Sequence, residues 1–358
     1  MPTIEKLQSG FIYKEDFSQE NVMWQFFPND ESRYSRVSNS LILKQGVGKI
    51  LALTKAPDDD FTFQCKVTHQ PLSTNSFAGV VLLRDNDDWV ECQLYKDADA
   101  VVQVFYSYIK IVKIGINYYF YASKDNVNWI TAGAMAYDDC HIIGFYFESD
   151  DVAETVKIEN VVFYKSPVIS VTGINVGDTI QIKDSSNAVL VSKVAALTTL
   201  DIDLTQKALP MNNCKIVHIA PGGTTQTSLL NINGGDVYGV KYNLKLKVNG
   251  IVVNPNTVFD LGKIYTGTDN LLTLENLDPN YSIYNLKISI EQYSPYDYGF
   301  QNVDMMPAIH DSDAVYTKEI VIDKLSDTPI DILMRINRET DIAALFKTSG
   351  FKYKIIIE

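Results

Sequence analysis

The sequence predicts an all-β protein built from tandem antiparallel β-sandwich domains. Short segments that alternate apolar and polar residues recur along the chain, and helical periodicity is nearly absent. The segments are bounded by Asn, Asp, Gly, Ser or Pro, which is typical of sandwiches. At 358 residues the chain is longer than one hydrophobic core usually organises. We therefore expect roughly two to three domains.

The cysteines illustrate the alternation. In the segment 61–67 the odd positions are apolar, which places Cys65 on the buried face. Cys92 lies in the same way between Val90 and Leu94. The four cysteines are far apart and form no Cys-x-x-Cys pair, so we expect buried free thiols, not a zinc or redox site. Free thiols indicate synthesis in a reducing cytosol.

Two breaks divide the chain into three predicted domains. Ser166-Pro167 ends one series of strands, and proline cannot donate to a central ladder. The stretch 220–228 is rich in Gly and Thr and reads as a linker. The predicted domains are 1–166, 167–222 and 223–358. One helix is expected, at 340–347, with Thr340 as its N-cap.

The first domain contains two strand pairs with distinctive turns. Ala-Gly-Val at 78–80 precedes Asp-Asp-Trp at 87–89, and Ser-Lys-Asp-Asn at 123–126 precedes Trp129. Asn126 tolerates the positive φ that the second turn requires. With the closing Val-Val-Phe-Tyr at 161–164, these motifs resemble the concanavalin A-like, laminin G-like sandwich attached to the C-terminus of xylosidases. The resemblance covers about 150 residues and implies a jelly-roll sandwich.

This resemblance also implies a role in binding. Such modules commonly bind glycans or proteins, and hydrolytic members of the wider superfamily carry Glu-x-Asp-x-x-Glu on one strand. No such run occurs here, because Glu91 stands alone on its strand with Gln93 two positions later. We therefore expect no catalytic residues and a protein that is not an enzyme.

Two aromatic rows are the candidate ligand-binding residues. Alternation places four side chains on the face opposite Val90 and Cys92, and two more on a second strand. If the two strands are neighbours, aromatic rings beside polar groups suit a sugar or a protein partner. The alternative is that the other sheet or a neighbouring domain covers this face. The candidates are Trp89, Glu91, Gln93, Tyr95, Tyr119 and Tyr121.

Other chemistry is not expected. The histidines His69, His141, His218 and His310 are scattered without partners at catalytic or metal-binding spacing. The acidic runs 58–60 and 85–88 read as solvated turns, since the second lacks the EF-hand glycine and glutamate. No metal and no cofactor are therefore predicted.

The overall charge and hydropathy exclude further classes of partner. The net charge of −13 argues against binding to nucleic acid, and no apolar run is long enough for a membrane helix. The first residues lack the apolar core of a secretion signal.

The later domains show further strands. Residues 177–191 read as a hairpin on an Asp-Ser-Ser-Asn turn, within a small β spacer domain. The strand 242–248 and the run Leu-Gly-Lys-Ile-Tyr-Thr-Gly-Thr at 261–268 resemble immunoglobulin-like modules. Segments 327–336 and 351–357 complete the predicted third sandwich.

A lectin-like sandwich, a spacer and an immunoglobulin-like sandwich, with free thiols and no secretion signal, resemble bacteriophage tail and baseplate proteins. This resemblance implies a virion structural protein, made in the host cytoplasm, that assembles with other virion proteins as a homo-oligomer or larger complex. The alternative is a carbohydrate- or receptor-binding protein that recognises a bacterial surface glycan through the first sandwich.

Overall fold

The computed structural model describes most of the chain, and its secondary structure is almost entirely antiparallel strands. One 3-10 turn, Glu31–Arg33, is capped by the Asp30 side chain, which accepts from the Ser32 amide. Within the described part, no helix is long and apolar enough to cross a membrane. The described residues are 2–18, 23–71, 75–85, 88–93, 107–138, 140–254, 258–262, 269–278, 280–292, 302–307, 319–337 and 351–357.

The first sandwich contains two sheets. The larger sheet has the order β12-β11-β10-β7-β14-β5-β4, with β2 also paired to β14, and the smaller has the order β3-β6-β13-β8-β9. The first fourteen strands, of which β1 belongs to the next module, are β1 (Thr3–Gln8), β2 (Phe11–Glu15), β3 (Gln25–Phe27), β4 (Tyr34–Arg36), β5 (Ser40–Lys44), β6 (Ile50–Lys55), β7 (Phe61–His69), β8 (Phe77–Asp85), β9 (Asp88–Gln93), β10 (Tyr108–Ile114), β11 (Asn117–Ser123), β12 (Trp129–Ala136), β13 (Ile142–Glu148) and β14 (Thr155–Tyr164).

The core of the first sandwich follows from the alternation in its strands. Phe61, Phe63, Cys65 and Val67 of β7 point into this core, as the sequence predicts. Phe63 of the larger sheet packs against Phe145 of the smaller sheet, with ring centroids 5.9 Å apart, and Trp24 stacks on Phe145 at 5.6 Å. All four cysteines are free thiols.

The second module is a smaller sandwich. One sheet has the order β1-β22-β15-β18, in which β15 and β22 are parallel, and the other has the order β17-β16-β19-β20 with β21 paired to β19. Its further strands are β15 (Val168–Thr172), β16 (Thr179–Lys183), β17 (Val189–Val194), β18 (Thr199–Asp203), β19 (Met211–Ala220), β20 (Gly223–Gln226), β21 (Leu230–Ile232) and β22 (Val237–Lys241). The module therefore combines residues 3–8 with residues 168–241.

The third module has two more sheets around its own core. Their orders are β24-β23-β26-β30-β28 and β25-β31-β27-β29, and all of these pairs are antiparallel. The strands are β23 (Leu244–Val248), β24 (Ile251–Val253), β25 (Val258–Gly262), β26 (Asp269–Asn276), β27 (Ile283–Gln292), β28 (Asn302–Pro307), β29 (Glu319–Leu325), β30 (Ile330–Asn337) and β31 (Phe351–Ile357). The prediction of tandem β-sandwiches is thus confirmed. The helix expected at 340–347 lies outside the described residues.

The stretch 220–228 is a packed hairpin, which corrects its interpretation as a linker. Strands β19 and β20 pair through Ala220 and Gly223, so the glycines form the turn between them. A Cβ at Gly222 would lie 1.6 Å from the carbonyl oxygen of Asn280 in the third module. The composition that suggested flexibility instead permits close backbone approach. The domain limits at 166/167 and 222/223 remain predictions, and strand pairing crosses both of them.

Candidate functional site

The structure places the two predicted aromatic rows on different sheets. Trp89 and Glu91 lie on β9 of the smaller sheet, whereas Tyr119 and Tyr121 lie on β11 of the larger sheet. Alternation predicts which side of a strand faces the core, but it carries no information on the sheet that a strand joins. The two rows therefore do not form one surface.

The side chains of the remaining two candidates, Gln93 and Tyr95, are not described. Gln93 pairs with Gly79 through its backbone, and its side chain lies outside the description. Tyr95 lies outside the described residues altogether.

The outer face of the smaller sheet carries a second apolar cluster. Val81, Leu83 and Tyr146 pack there against Leu51, Leu53 and Ile142, separate from the core between the sheets. Strand register brings these positions together, because Leu83 opposes both Trp89 and Ile142 and Val81 opposes Glu91. We call this surface the Trp89 face; it consists of Phe27, Lys49, Leu51, Leu53, Phe77, Val81, Leu83, Trp89, Glu91, Ile142, Tyr146 and Glu148.

Two glycines occupy central positions of the Trp89 face. Gly144 lies between Leu53 and Val81, and Gly79 lies beside Tyr146. A Cβ at Gly144 would be 2.2 Å from the carbonyl oxygen of Ala52, so a larger residue does not fit. No side chain rises from the sheet at these two positions.

An ion cluster borders the apolar part of the face. The ammonium of Lys49 contacts the carboxylate of Glu91 and lies 3.8 Å from Oε2 of Glu148. The same ammonium is 5.3 Å from the ring centroid of Tyr146. The sequence shows Glu91 as a lone acid, but the structure adds Glu148 from β13. Period-two alternation in β13, which puts Tyr146 and Glu148 on one face, is the signal that could have found it.

Glu91 also orients the indole of Trp89. The Trp89 Nε1–H donates to Glu91 Oε1 over 3.1 Å, and 48% of Trp89 remains exposed. The ring is thus held by one hydrogen bond while much of its surface contacts solvent. A ring in this position can pack against the flat apolar side of a ligand or against another protein.

Tyr146 contributes a hydroxyl group to the same face. Its side chain is fully buried, and its hydroxyl has no hydrogen-bond partner among the described residues. Burial raises the pKa of Tyr146, and the nearby Glu91 carboxylate adds to the effect. The phenol therefore stays protonated at neutral pH and keeps a hydrogen to donate.

The second module covers part of the outer face of the larger sheet. Val162 and Tyr164 of β14 belong to the core of that module. Burial raises the pKa of Tyr121, and Asp203 of the second module adds to the effect. These contacts support the alternative that a neighbouring domain covers the second predicted row, around Tyr121.

Lys110 lies at the same junction. Its Nζ donates to the carbonyl oxygens of Thr205 and Lys207, over 2.8 and 2.6 Å, and lies 4.1 Å from the Trp129 ring centroid. Burial lowers the pKa of Lys110 to about 7, opposed by Asp203. Nothing in the sequence indicates this role, since Lys110 lies in an ordinary alternating strand.

Two of the histidines, which have no partner at catalytic or metal-binding spacing in the sequence, lie beside carboxylates from distant segments. His218 Nε2 lies 2.7 Å from Oδ2 of Asp178 in the buried interior of the second module. His69 Nε2 lies 2.9 Å from Ser76 Oγ and 3.5 Å from Glu154 Oε2. In a catalytic triad the two ring nitrogens face the serine and the carboxylate separately, whereas here Nε2 faces both. This cluster ties one end of the first sandwich together.

The acidic run 58–60 forms local contacts. Asp58 pairs with Lys55 over 2.9 Å, and Asp60 accepts from the Gly115 amide over 2.7 Å. Across the described ranges, no group of three or more His, Cys, Asp or Glu side chains is arranged to hold a metal ion. In the run 85–88, residues 86 and 87 lie outside the description, and Asp88 pairs with Arg84.

No protein-family model matches the chain, and no curated protein matches it. Solved structures do match. The GH43 protein BlXynB of Bacillus licheniformis is 16% identical over 42% of this chain and 39% of its own, with a TM-score of 0.35. This chain thus spans about two fifths of the length of BlXynB.

Two further structures have other roles. The CBM2 module of the evolved Dit of Lactobacillus casei BL23 phage J-1 is 12% identical, covering 45% of this chain and 96% of its own, with a TM-score of 0.28. The botulinum neurotoxin type G receptor-binding domain is 10% identical, covering 97% of this chain and 98% of its own, with a TM-score of 0.28. These likenesses fit a β-sandwich; since each TM-score is below 0.5, the fold assignment rests on the strand pairing itself.

The prediction that the chain is not an enzyme is corrected. Structures that match it include GH43 glycoside hydrolases, which are enzymes.

Proposed function

We propose that this chain is a binding and structural component of a bacteriophage virion, in the tail or baseplate, and that the Trp89 face contacts a neighbouring subunit. The observation that carries the proposal is the exposure of three aromatic side chains on this face. Phe27 is 69% exposed, Phe77 39% and Trp89 48%. Exposed aromatic side chains on one face of a sheet are typical of interaction surfaces.

The chemistry of the face suits a protein partner. Leu51, Leu53 and Leu83 form an apolar floor, and the cluster of Lys49 with two glutamates supplies a charged rim. An apolar centre with a polar rim is the common anatomy of protein interfaces. Contact with a second chain would remove the three aromatic rings from water, and this burial of apolar surface favours association.

The packing between modules supports a structural role. Hydrogen bonds from Lys110 join the first and second modules, and the Gly222 turn packs against the third. Modules in direct contact hold their outer faces at fixed spacing, which subunit assembly requires. In this proposal the first sandwich is a concanavalin A-like module, the third is immunoglobulin-like, and the chain is made in the host cytoplasm.

Virion composition tests the proposal. Mass spectrometry of purified virions should detect the protein at a fixed ratio to the major tail protein. Phe27→Asp should reduce its incorporation, since a charge would be buried in the contact. Val152→Asp, at a position that is 86% exposed in a loop, is the matched control and should be incorporated normally. Absence from virions, or equal incorporation of both variants, would contradict the proposal.

The second candidate function is recognition of a bacterial surface glycan through the same sandwich. It is favoured by the Trp89 indole, which is half exposed and held by Glu91, a carboxylate that can also accept a hydrogen bond from a sugar hydroxyl. Trp89→Ala should weaken binding to host cell walls at least tenfold, whereas Trp89→Phe should retain part of it. Circular dichroism should show both variants folded. Unchanged binding by Trp89→Ala would rule out this site.

A further inference from the structure

A cleft lies between the first sandwich and the second module, on the side opposite the Trp89 face. Its volume is about 400 Å³, within the range of roughly 300–1,000 Å³ that is common for small-ligand sites. Carboxamide side chains from both modules line it. They are Gln64, Asn126, Asn160, Asn212, Asn231 and Asn233.

Gln64 supplies a buried acceptor without a donor. Its Nε2 donates to the Leu209 carbonyl oxygen over 2.9 Å and to Asn126 Oδ1 over 3.3 Å, which fixes the orientation of the amide. Only 6% of the residue is exposed, and Oε1 has no hydrogen-bond partner among the described residues. Native proteins seldom leave such an atom unpaired, so a small shift of Gln64 that opened Oε1 to a ligand hydroxyl would satisfy it.

Three of the asparagines have side chains that the fold does not use. Asn126 and Asn231 each accept a hydrogen bond, from Gln64 and from the Asn213 amide. By contrast, the carboxamides of Asn160, Asn212 and Asn233 make no hydrogen bond within the described part of the chain. Each offers two donors and an acceptor to the cleft.

Backbone conformation explains the choice of asparagine at only one of these three positions. Asn160 lies at a β-bulge of β14 with a φ of 54°, a conformation that asparagine and glycine tolerate best. Asn212 and Asn233 have no positive φ. Their residue type is therefore not required by the left-handed backbone conformation.

The charge and shape of the cleft define the ligand class. Lys14 is the one charged side chain among the described residues that line the cleft, and carboxamides supply most of its polar groups. Carboxamides both donate and accept, as hydroxyl groups do, and Tyr108 supplies a half-buried ring for the apolar side of a sugar.

We propose that this cleft is a binding site for a neutral saccharide, held by Asn160, Asn212 and Asn233 together with Gln64 Oε1. The proposal stands independently of the Trp89 face and of a virion role, because it uses the opposite sheet of the sandwich.

Titration calorimetry of the full chain tests the site with glucose, galactose, N-acetylglucosamine and xylobiose. At least one of these neutral sugars should bind one to one. Asn212→Ala and Asn160→Gly should each weaken this binding at least tenfold. Glycine retains the positive φ at position 160 while removing the carboxamide.

Asn285→Gly is the matched control, because Asn285 is exposed in the third module and has a φ of 53°. It should bind as the wild type does, and thermal unfolding should show all three variants folded. The proposal is overturned if no neutral sugar binds, or if Asn212→Ala and Asn160→Gly bind as tightly as the wild type. Loss of binding in Trp89→Ala alone would also overturn it by placing the sugar on the Trp89 face.

Discussion

Lys110 shows how a single residue joins two modules. Its Nζ reaches two carbonyl oxygens of the segment after β18, and the Trp129 ring covers it. Burial disfavours the ammonium form, which is why the pKa of Lys110 falls to about 7. A neutral amine still has two N–H groups, one for each carbonyl, so both hydrogen bonds survive deprotonation.

This pKa gives the stability a pH dependence. Between pH 7 and 10.5, the ordinary lysine value, the unfolded chain binds a proton at Lys110 that the folded chain has released. The free energy of unfolding should therefore rise with pH in this window, by up to about 1.4 kcal/mol per pH unit, relative to Lys110→Met. Urea denaturation at pH 7 and pH 9.5 measures the difference between the two proteins.

Lys113→Met is the control for this experiment. Lys113 is on the same strand, and its Nζ contacts the Asp58 carbonyl oxygen at the surface. In Lys113→Met, the free energy of unfolding should depend on pH as it does in the wild type. If the free energy of unfolding of Lys110→Met rose with pH as steeply as that of the wild type, Lys110 would not be titrating in this range.

At the scale of the element, alternation predicts well which side of a strand faces the core, but it predicts poorly which strands pair with each other. The odd residues of 61–67 face the core, and Asn126 adopts a φ of 62° in its turn, both as predicted. The assignment of β9 and β11 to different sheets depends on pairing between distant segments. Such pairing is decided by the whole core, and no local pattern encodes it.

The candidate site shows the same limit. The sequence identified Trp89 and Glu91, which do lie together, but Lys49 contacts Glu91 from the residue before β6, and Glu148 lies near Lys49 on β13. The carboxamides of the cleft come from six positions between 64 and 233. Their proximity arises from the docking of two modules, so neither composition nor spacing could reveal it.

The β19–β20 turn offers a test at this scale. Gly222→Ala would place a Cβ 1.6 Å from the Asn280 carbonyl oxygen, which requires the backbone to move. We expect it to lower the free energy of unfolding by about 1–3 kcal/mol, the usual cost of overpacking. Gly133→Ala, with no atom within 4 Å of the new Cβ, should change it by less than about 0.5 kcal/mol. Urea denaturation compares the two variants, and equal effects would contradict the packed turn.

At the scale of the whole molecule, Asp236 connects the start of the chain to its middle. The carboxylate is fully buried and accepts from Lys6 Nζ, the Gly10 amide and the Tyr238 hydroxyl. These bonds hold β1 beside β22, although more than 220 residues separate them in sequence. The pairing adds β1 to the sheet of the second module as an edge strand.

Asp236→Asn should therefore loosen the second module. The Asn amide would place a donor where the Asp236 carboxylate accepts several hydrogen bonds. We therefore expect the free energy of unfolding to fall by about 3–5 kcal/mol, which is typical of a broken buried ion pair. Hydrogen exchange should show reduced protection of β1 and β22 before the other strands. Asp201→Asn, an exposed partner of the Ser170 hydroxyl, is the control and should leave protection unchanged. Equal protection in both variants would refute the role of Asp236.

The position of β1 has a mechanical consequence. The chain leaves the second module after β1, builds the first sandwich and returns before β15, and the Lys165 amide donates to the Gly10 carbonyl oxygen over 2.8 Å where the two crossings meet. Two adjacent chain segments, one after β1 and one before β15, thus connect the first sandwich to the second module. A single tether lets a body swivel about one bond, whereas two crossings tied side by side resist torque. Any load that twists the first sandwich must be transmitted to the module beneath it.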